Sequence, residues 1–412
     1  MLKSSSLLFL VLCAASAASL AASDWPEFRG PTGQGISTRT DLPLTWDATN
    51  HVAWKSAIPG EGWSSPSLQA GKLYLTTAVK TGNGLSLRAL ALNEQDGRIL
   101  WNTEVISHEA GAPGIHSKNG HASPTPIISG ERLYVHFGTL GTACLDLDGK
   151  VLWRQTSLKY PPVHGSGGSP ILVGDALIFS CDGGSNPFVV ALHRDTGKVL
   201  WKTPRETTAK KTFSFSTPLL ITVDGKKQVI SPGSGAVCAF DPADGRELWR
   251  ALYGEGYSVI PRPVFGHGLL FVSSGYDRPV AMAVRPGGKG DVTETHVAWS
   301  VTKGVPNTPS MLLAGDELFM VSDGGIGSCL DARTGKTHWQ ERLGGNYSAS
   351  PILAGGRIYF LSEEGTTVVV KASKEFVKLA ENPLGERSLA TPAVGEGCLY
   401  LRTKEHLFKI KG

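Results

Sequence analysis

The sequence predicts an all-β fold: an eight-bladed β-propeller of four-stranded antiparallel blades, the last blade closed by the N-terminal strand. Three observations predict it. A Gly stands four residues before a Trp at Gly97/Trp101, Gly149/Trp153, Gly197/Trp201, Gly245/Trp249 and Gly335/Trp339. A small or polar residue, or Arg, precedes Pro in eight phrases: Ser65-Pro66, Ser123-Pro124, Ser169-Pro170, Thr217-Pro218, Arg262-Pro263, Thr308-Pro309, Ser350-Pro351 and Thr391-Pro392. Short aromatic and β-branched runs such as Leu73-Tyr74-Leu75 and Ile358-Tyr359-Phe360 lie between the two signals. A phrase returning every 40 to 52 residues marks a modular fold.

Each repeat reads as strand, turn, strand, turn, strand, Asp/Thr-Gly turn and a strand carrying Trp. The Pro falls at a strand start, where its missing N–H is tolerated. Gly after Asp or Thr supplies the positive φ of a tight hairpin. The apolar runs are short and bounded by Gly and Asp, as strands are, and no stretch sustains a helical period. Such a unit is a propeller blade, which buries its sheet faces only against neighbouring blades. A Trp at a fixed outer position suits that contact: Trp54, Trp101, Trp153, Trp201, Trp249, Trp299 and Trp339 are the expected blade-docking residues. The last unit, from Thr391-Pro392, lacks a Trp strand, and the Trp54 strand lacks a unit. Joining the two closes the ring and leaves no open edge.

Residues 1–23 read as a Sec signal peptide. Lys3 precedes an apolar stretch, Leu7–Ala15, too short to span a membrane, and small residues follow. Residues 24–50 are an N-terminal strap and 51–412 the propeller. Removing Lys3 from 40 basic residues against 36 acidic ones leaves a net charge of +3. With no Lys/Arg-rich tract, nucleic acid is not an expected partner. Cys144, Cys181, Cys238, Cys329 and Cys398 fall in different repeats and read as small buried residues.

Cys329-Leu330-Asp331-Ala332-Arg333-Thr334-Gly335-Lys336-Thr337-His338-Trp339 resembles the tryptophan-docking motif of PQQ-like (quinoprotein-type) propeller repeats. Ala191–Trp201 and Ala239–Trp249 match nearly as well. The chain therefore resembles the PQQ-like β-propeller repeat family over roughly residues 50–412. That family includes quinoprotein alcohol dehydrogenases and the propeller subunit of the outer-membrane β-barrel assembly machinery. Asp24-Trp25-Pro26-Glu27-Phe28-Arg29-Gly30-Pro31 and His116–Pro126 are similar to exported propellers of planctomycete-type bacteria. The motif is blade-to-blade glue and speaks for fold rather than chemistry.

Residues before each Pro phrase are expected to face the central channel. They supply the ligand-binding candidates Trp63, Asn119, His121, His164, Tyr257, Arg262, Asn307, Asn346, Tyr347 and Arg387, with Ser64, Ser166, Ser214 and Ser216 among them. His116, His121, His136 and His164 are candidate metal ligands by residue type, although their spacing matches no compact motif. The loop Ser107–Gly120 is long enough to cap the channel mouth.

Two functions follow. The first is an exported, non-catalytic binding or assembly scaffold in the periplasm or outside the cell. Its partner is an envelope protein, peptide or glycan, and no span crosses the membrane after signal cleavage. No catalytic residue and no cofactor is assigned under it. The alternative, which the resemblance implies, is a periplasmic dehydrogenase of alcohols or sugars using PQQ and Ca²⁺. Ca²⁺ needs oxygen ligands and the reaction needs a base. Asn119, Asp182, Asp277, Asp323 and Glu363 would serve, with Trp63, Phe213, Tyr257 or Tyr347 stacking on the quinone and Arg262 or Arg387 pairing with its carboxylates. The missing vicinal cysteine pair and haem motif favour the first reading. A weaker third is a hydrolase built on the histidines and a metal.

Overall fold

Residues 24–109 and 111–412 are described by a computed structural model of the chain. The expected signal peptide lies outside the described residues. Eight antiparallel sheets correspond to the eight repeats. Blade 1 holds Ser67–Gln69, Lys72–Thr81, Gly84–Asn93 and Ile99–His108, from the channel outward. Blades 2 to 7 span residues 127–155, 171–204, 219–252, 264–301, 312–342 and 352–383. Blade 8 holds Ala393–Gly395, Cys398–Arg402, His406–Lys411 and, outermost, Val52–Ala57. The N-terminal strand thus closes the ring, with Lys55 opposite Phe408.

The middle strands are continuously apolar because blades cover both their faces; Leu73, Tyr74 and Leu75 have no exposed surface. Outer strands alternate between solvent and neighbour, as Val52–Ala57 does. The Trp54 indole N–H donates to the Glu94 carbonyl of blade 1 at 3.1 Å. A Cβ on Gly97 would sit 2.7 Å from that ring, so Gly serves both the turn (φ 72°) and the indole. The indoles of Trp101, Trp153, Trp201, Trp299 and Trp339 reach the next blade's carbonyls of Leu147, Arg194, Pro242, Ala332 and Ser373 at 2.8–3.0 Å. Trp249 differs. Blade 5 carries an insertion whose Gly290–Asp291 pairs parallel with the Trp249 strand, and this indole donates to Gln228 Oε1 at 2.8 Å.

Hydroxyls link the inner strands around the channel. The backbone N–H of Ser65 donates to Thr125 Oγ1, that of Thr125 to Ser169 Oγ and that of Ser169 to Thr217 Oγ1, at 2.9–3.0 Å. Beyond blade 5 the N–H of Arg262 reaches Ser310 Oγ, that of Ser310 reaches Ser350 Oγ and that of Ser350 reaches Thr391 Oγ1. Arg262 has no hydroxyl to accept the Thr217 N–H, and no bond joins Thr391 to Ser65 among the described residues, so the links form two arcs. These links also correct two phrases. In blades 2 and 6 the equivalent positions are Thr125-Pro126 and Ser310-Met311, two residues beyond Ser123-Pro124 and Thr308-Pro309. Blade 2 carries the signal twice in tandem, whereas in blade 6 Met311 stands where the Pro is expected, and in both the hydroxyl bonds fall on the second position. A shift of two leaves the facing of each side chain unchanged.

The strap packs across the inner strands. Trp25 exchanges two backbone bonds with Leu68, and Pro26 O accepts from Ile128 N. Arg29 donates to Met311 O, Gln34 Oε1 accepts from Phe265 N, and Ile36–Ser37 adds parallel to blade 7. Trp46 then stacks on Tyr359. Arg262 turns from the channel to the strap, donating to Phe28 O at 2.6 Å and to Glu27 at 3.2 Å.

Candidate functional site

A cavity of about 540 Å³ opens at the centre of one face and draws lining residues from all eight blades. Phe28 of the strap closes its inner end, so the channel is blind. The ring positions Ser65, Thr125, Ser169, Thr217, Ser310, Ser350 and Thr391 surround that floor. The residue two before each, Trp63, Ser123, Gly167, Phe215, Ile260, Thr308, Ser348 or Leu389, forms the next tier. This is strand alternation: every second residue faces the channel.

The wall is asymmetric. From blade 2 to blade 5 it is aromatic, with ring centroids 5.3 Å apart for His116 and His164, 5.2 Å for His164 and Phe213, and 5.4 Å for Phe213 and Tyr257. Tyr276 continues the arc. Blades 6 and 7 are polar. Asp323 accepts the backbone N–H groups of Asn307 (2.7 Å) and Thr308 (3.2 Å) and the Thr308 hydroxyl (2.6 Å). The buried Oδ1 of Asn307 has no donor among the described residues. Residues 111–120 cross the mouth. Lys118 Nζ lies 2.7 Å from Glu363, which also accepts from Ser348 Oγ. Against partial burial, which lowers it, Glu363 raises the Lys118 pKa. Arg387 donates to Ser117 O and lies over the Trp63 ring. Burial, and then the charge of His116, lowers the His164 pKa.

Of the sequence candidates, Trp63, His116, Asn119, His164, Phe213, Tyr257, Asn307 and Asp323 line this cavity. The others lie elsewhere. Ser64, Ser166, Ser214 and Ser216 have the opposite parity and are absent from the lining. Tyr347 is buried between blades 6 and 7, and Asn346 pairs with Glu364 outside the lining. Arg262 holds the strap, Arg387 sits on the mouth loop, and Asp277 is exposed. Asp182 is buried in a 3.0 Å ion pair with Arg205. Glu363 reaches the mouth only through Lys118 and Ser348. His121 lines a separate small pocket beside Phe137.

His136 is buried against Phe179, with Nδ1 2.8 Å from Thr142 Oγ1. Burial depresses its pKa to about 3, so it is neutral when folded. Unfolded, it titrates near the ordinary value of about 6.5. The unfolded chain therefore binds an extra proton between those values, and stability falls as pH drops through this window by about 1.4 kcal/mol per pH unit. Denaturant titrations at pH 7, 6 and 5 should show that loss, and His136→Asn should flatten the slope by about one proton.

Among the described residues, the one His/acid group tight enough for an ion is Glu386, Glu405 and His406 on blade 8, not the four histidines of blades 2 and 3. Glu386 is already engaged by Thr403, the Glu405 N–H and His406. The donors proposed for a quinone and Ca²⁺ do not converge. Asn119 Oδ1 accepts from Gly120 and Ser123, Asp182 is paired with Arg205, Asp323 holds a turn, Glu363 holds Lys118, and Asp277 is outside. All five cysteines of the propeller are free and buried, and none lines the cavity. The donor set does not fit that cofactor.

Ring, strap and blind mouth cavity define a closed eight-bladed PQQ-like β-propeller with a central cavity. The chain belongs to the family described as outer membrane protein assembly factor BamB, whose model matches residues 36–159, 120–326 and 291–410. BamB of Yersinia pestis is 24% identical over 218 residues, 51% of each chain. BamB of Alkalilimnicola ehrlichii is 28% identical over 155 residues, 36% of this chain and 38% of its own. The alignments thus span about half or less of these curated relatives. The crystal structure of BamB from Moraxella catarrhalis superposes with TM-score 0.59 at 14% identity, covering 87% of this chain and 99% of that one. A europium-containing methanol dehydrogenase gives 0.56 at 12%, covering 93% and 91%. At such identities the structural likeness shows the fold alone.

Proposed function

We propose that the protein is an exported, non-catalytic propeller that serves as a binding or assembly scaffold in the cell envelope. Family membership across residues 36–410 carries this reading. The chemistry of the mouth supports it: the carboxylates of Asp323 and Glu363 are both held by protein donors. A rigid ring with a polar rim suits docking of an envelope protein or peptide. Residues 1–23 supply the export signal on this reading. No helix among the described residues is long and apolar enough to cross a membrane.

The test is copurification of the tagged mature chain from its own envelope, together with dye reduction in the presence of PQQ, Ca²⁺ and simple alcohols or aldoses. Stoichiometric recovery of outer-membrane assembly proteins without turnover is the expected result. Turnover with stoichiometric PQQ would replace the scaffold with the dehydrogenase.

A further inference from the structure

The mouth cavity has a chemistry of its own, separate from any docking surface on the rim. Its volume of about 540 Å³ falls within the range of about 300–1,000 Å³ of small-molecule sites. Its floor is a set of hydroxyl donors. Thr125, Ser169, Thr217 and Thr391 use a lone pair to accept a neighbour's backbone N–H, and none donates its own proton within the described residues. A bound group rich in oxygen acceptors would satisfy them.

Opposite stands the aromatic arc of His164, Phe213, Tyr257 and Tyr276. His164 and Phe213 meet at 86°, and Phe213 and Tyr257 at 76°. Rings so crossed offer faces as well as edges, and the negative ring face attracts weakly positive C–H groups. Charge decides between ligand classes. A cation would meet the ammonium of Lys118 in the lining and that of Lys211, 3.8 Å from the Tyr257 ring centroid. An anion would meet Asp323 in the lining. Lys118 is already matched by Glu363, and Lys211 is held over the face of the Tyr257 ring.

We propose that the cavity is a saccharide site: it takes one neutral pyranose ring, its hydroxyls on the Ser/Thr floor and a C–H face on the Phe213–Tyr257 wall. The ring is either a free sugar or the end of a glycan, since both present the same group. The site extends the scaffold reading and stands without it.

The experiment titrates the mature chain with glucose, N-acetylglucosamine, maltotetraose and chitotetraose, by calorimetry and saturation-transfer NMR. Saturable millimolar binding to at least one is expected, weakened tenfold or more by Phe213→Ala and by Tyr257→Ala. Both side chains are partly exposed at the cavity rather than in a blade core, so thermal midpoints should hold. If either variant fails to fold, Tyr276→Leu carries the same test. Lys202→Ala, on the outer rim, should bind as the unaltered chain does. Equal affinity for monomer and tetramer identifies a free sugar; tighter tetramer binding identifies a glycan end. No saturable binding to any probe at up to about 50 mM, well above a millimolar Kd, overturns the proposal. So does binding that the aromatic substitutions leave unchanged. Copurification with assembly proteins is read independently, so either idea can fail alone.

Discussion

A chain shortened to begin at residue 60 should lose the folded state. The deletion removes Val52–Ala57, the outer strand of blade 8, and leaves His406–Lys411 as an open edge. It removes the Trp54 indole that joins blade 8 to blade 1 through the Glu94 carbonyl. It also removes Trp25, Leu42, Trp46 and Ile58, each 6% exposed or less and all in one core cluster with blades 1, 7 and 8. Burial of a large apolar side chain contributes about 1.5–3 kcal/mol. Four such losses, before the strand pairing is counted, approach the about 5–15 kcal/mol that separates most folded domains from unfolded chains. Solubility and a thermal melt measure the outcome. A shortened chain that melts with the mature protein would show that the first and last segments do not need each other.

Asp182→Ala should destabilise by about 3–5 kcal/mol, because it strands a buried guanidinium. Asp182 and Arg205 are 1% exposed at their side chains and 3.0 Å apart. Arg205 also donates to the Ser231 carbonyl and hydroxyl, at 3.0 and 2.6 Å. Its head lies against Gly233, where a Cβ would fall 2.6 Å from Nε. Against the desolvation that burial imposes, the Asp182 carboxylate raises the Arg205 pKa, so the cation persists at every pH at which the protein folds. Without Asp182 that charge has hydroxyl and carbonyl dipoles but no counter-ion. Denaturant unfolding of Asp182→Ala and of the double variant Asp182→Leu/Arg205→Met checks the mechanism. The double variant should recover most of the loss, since removing both charges removes the desolvation cost with them. A double variant as weak as the single one would assign the loss to packing.

The ring and its closure were legible because they rest on local signals. Each Gly-to-Trp phrase encodes a hairpin and an indole site, and the unmatched Trp54 strand pointed to the unmatched last unit. The cavity was legible only in part. Trp63, Phe213, Tyr257 and Asn307 were found, while Ser64, Ser214 and Ser216 were placed there with them. Adjacent residues of an extended segment face opposite ways, so naming neighbours in pairs puts Ser64, Ser214 and Ser216 between blades, although the alternation breaks at Tyr257-Ser258 and Asn307-Thr308, where both neighbours line the cavity. The Ser/Thr-Pro position sets the parity, and counting back by two from Thr217 gives Phe215 and Phe213 without Ser214. Phe28 at the floor carries no local signal, and Glu363, named as a base or metal candidate, gives no local sign of its Lys118 partner. Their places depend on a strap and a loop that meet distant blades, and such meetings leave no periodicity in the chain. The insertion in blade 5 was hidden for a related reason: Gly290–Asp291 pairs with the preceding blade, beside Trp249.

The strap has a kinetic consequence. With Phe28 across its inner end, the channel is a vessel with one door. Arrival and departure share a path, bounded by residues 111–120 and the Lys118–Glu363 pair. A change that lowers the barrier at that door without touching the bound state speeds both directions by one factor. Residence time and affinity are thereby separable: the doorway governs how long an occupant stays, and the walls govern how much of the protein is occupied.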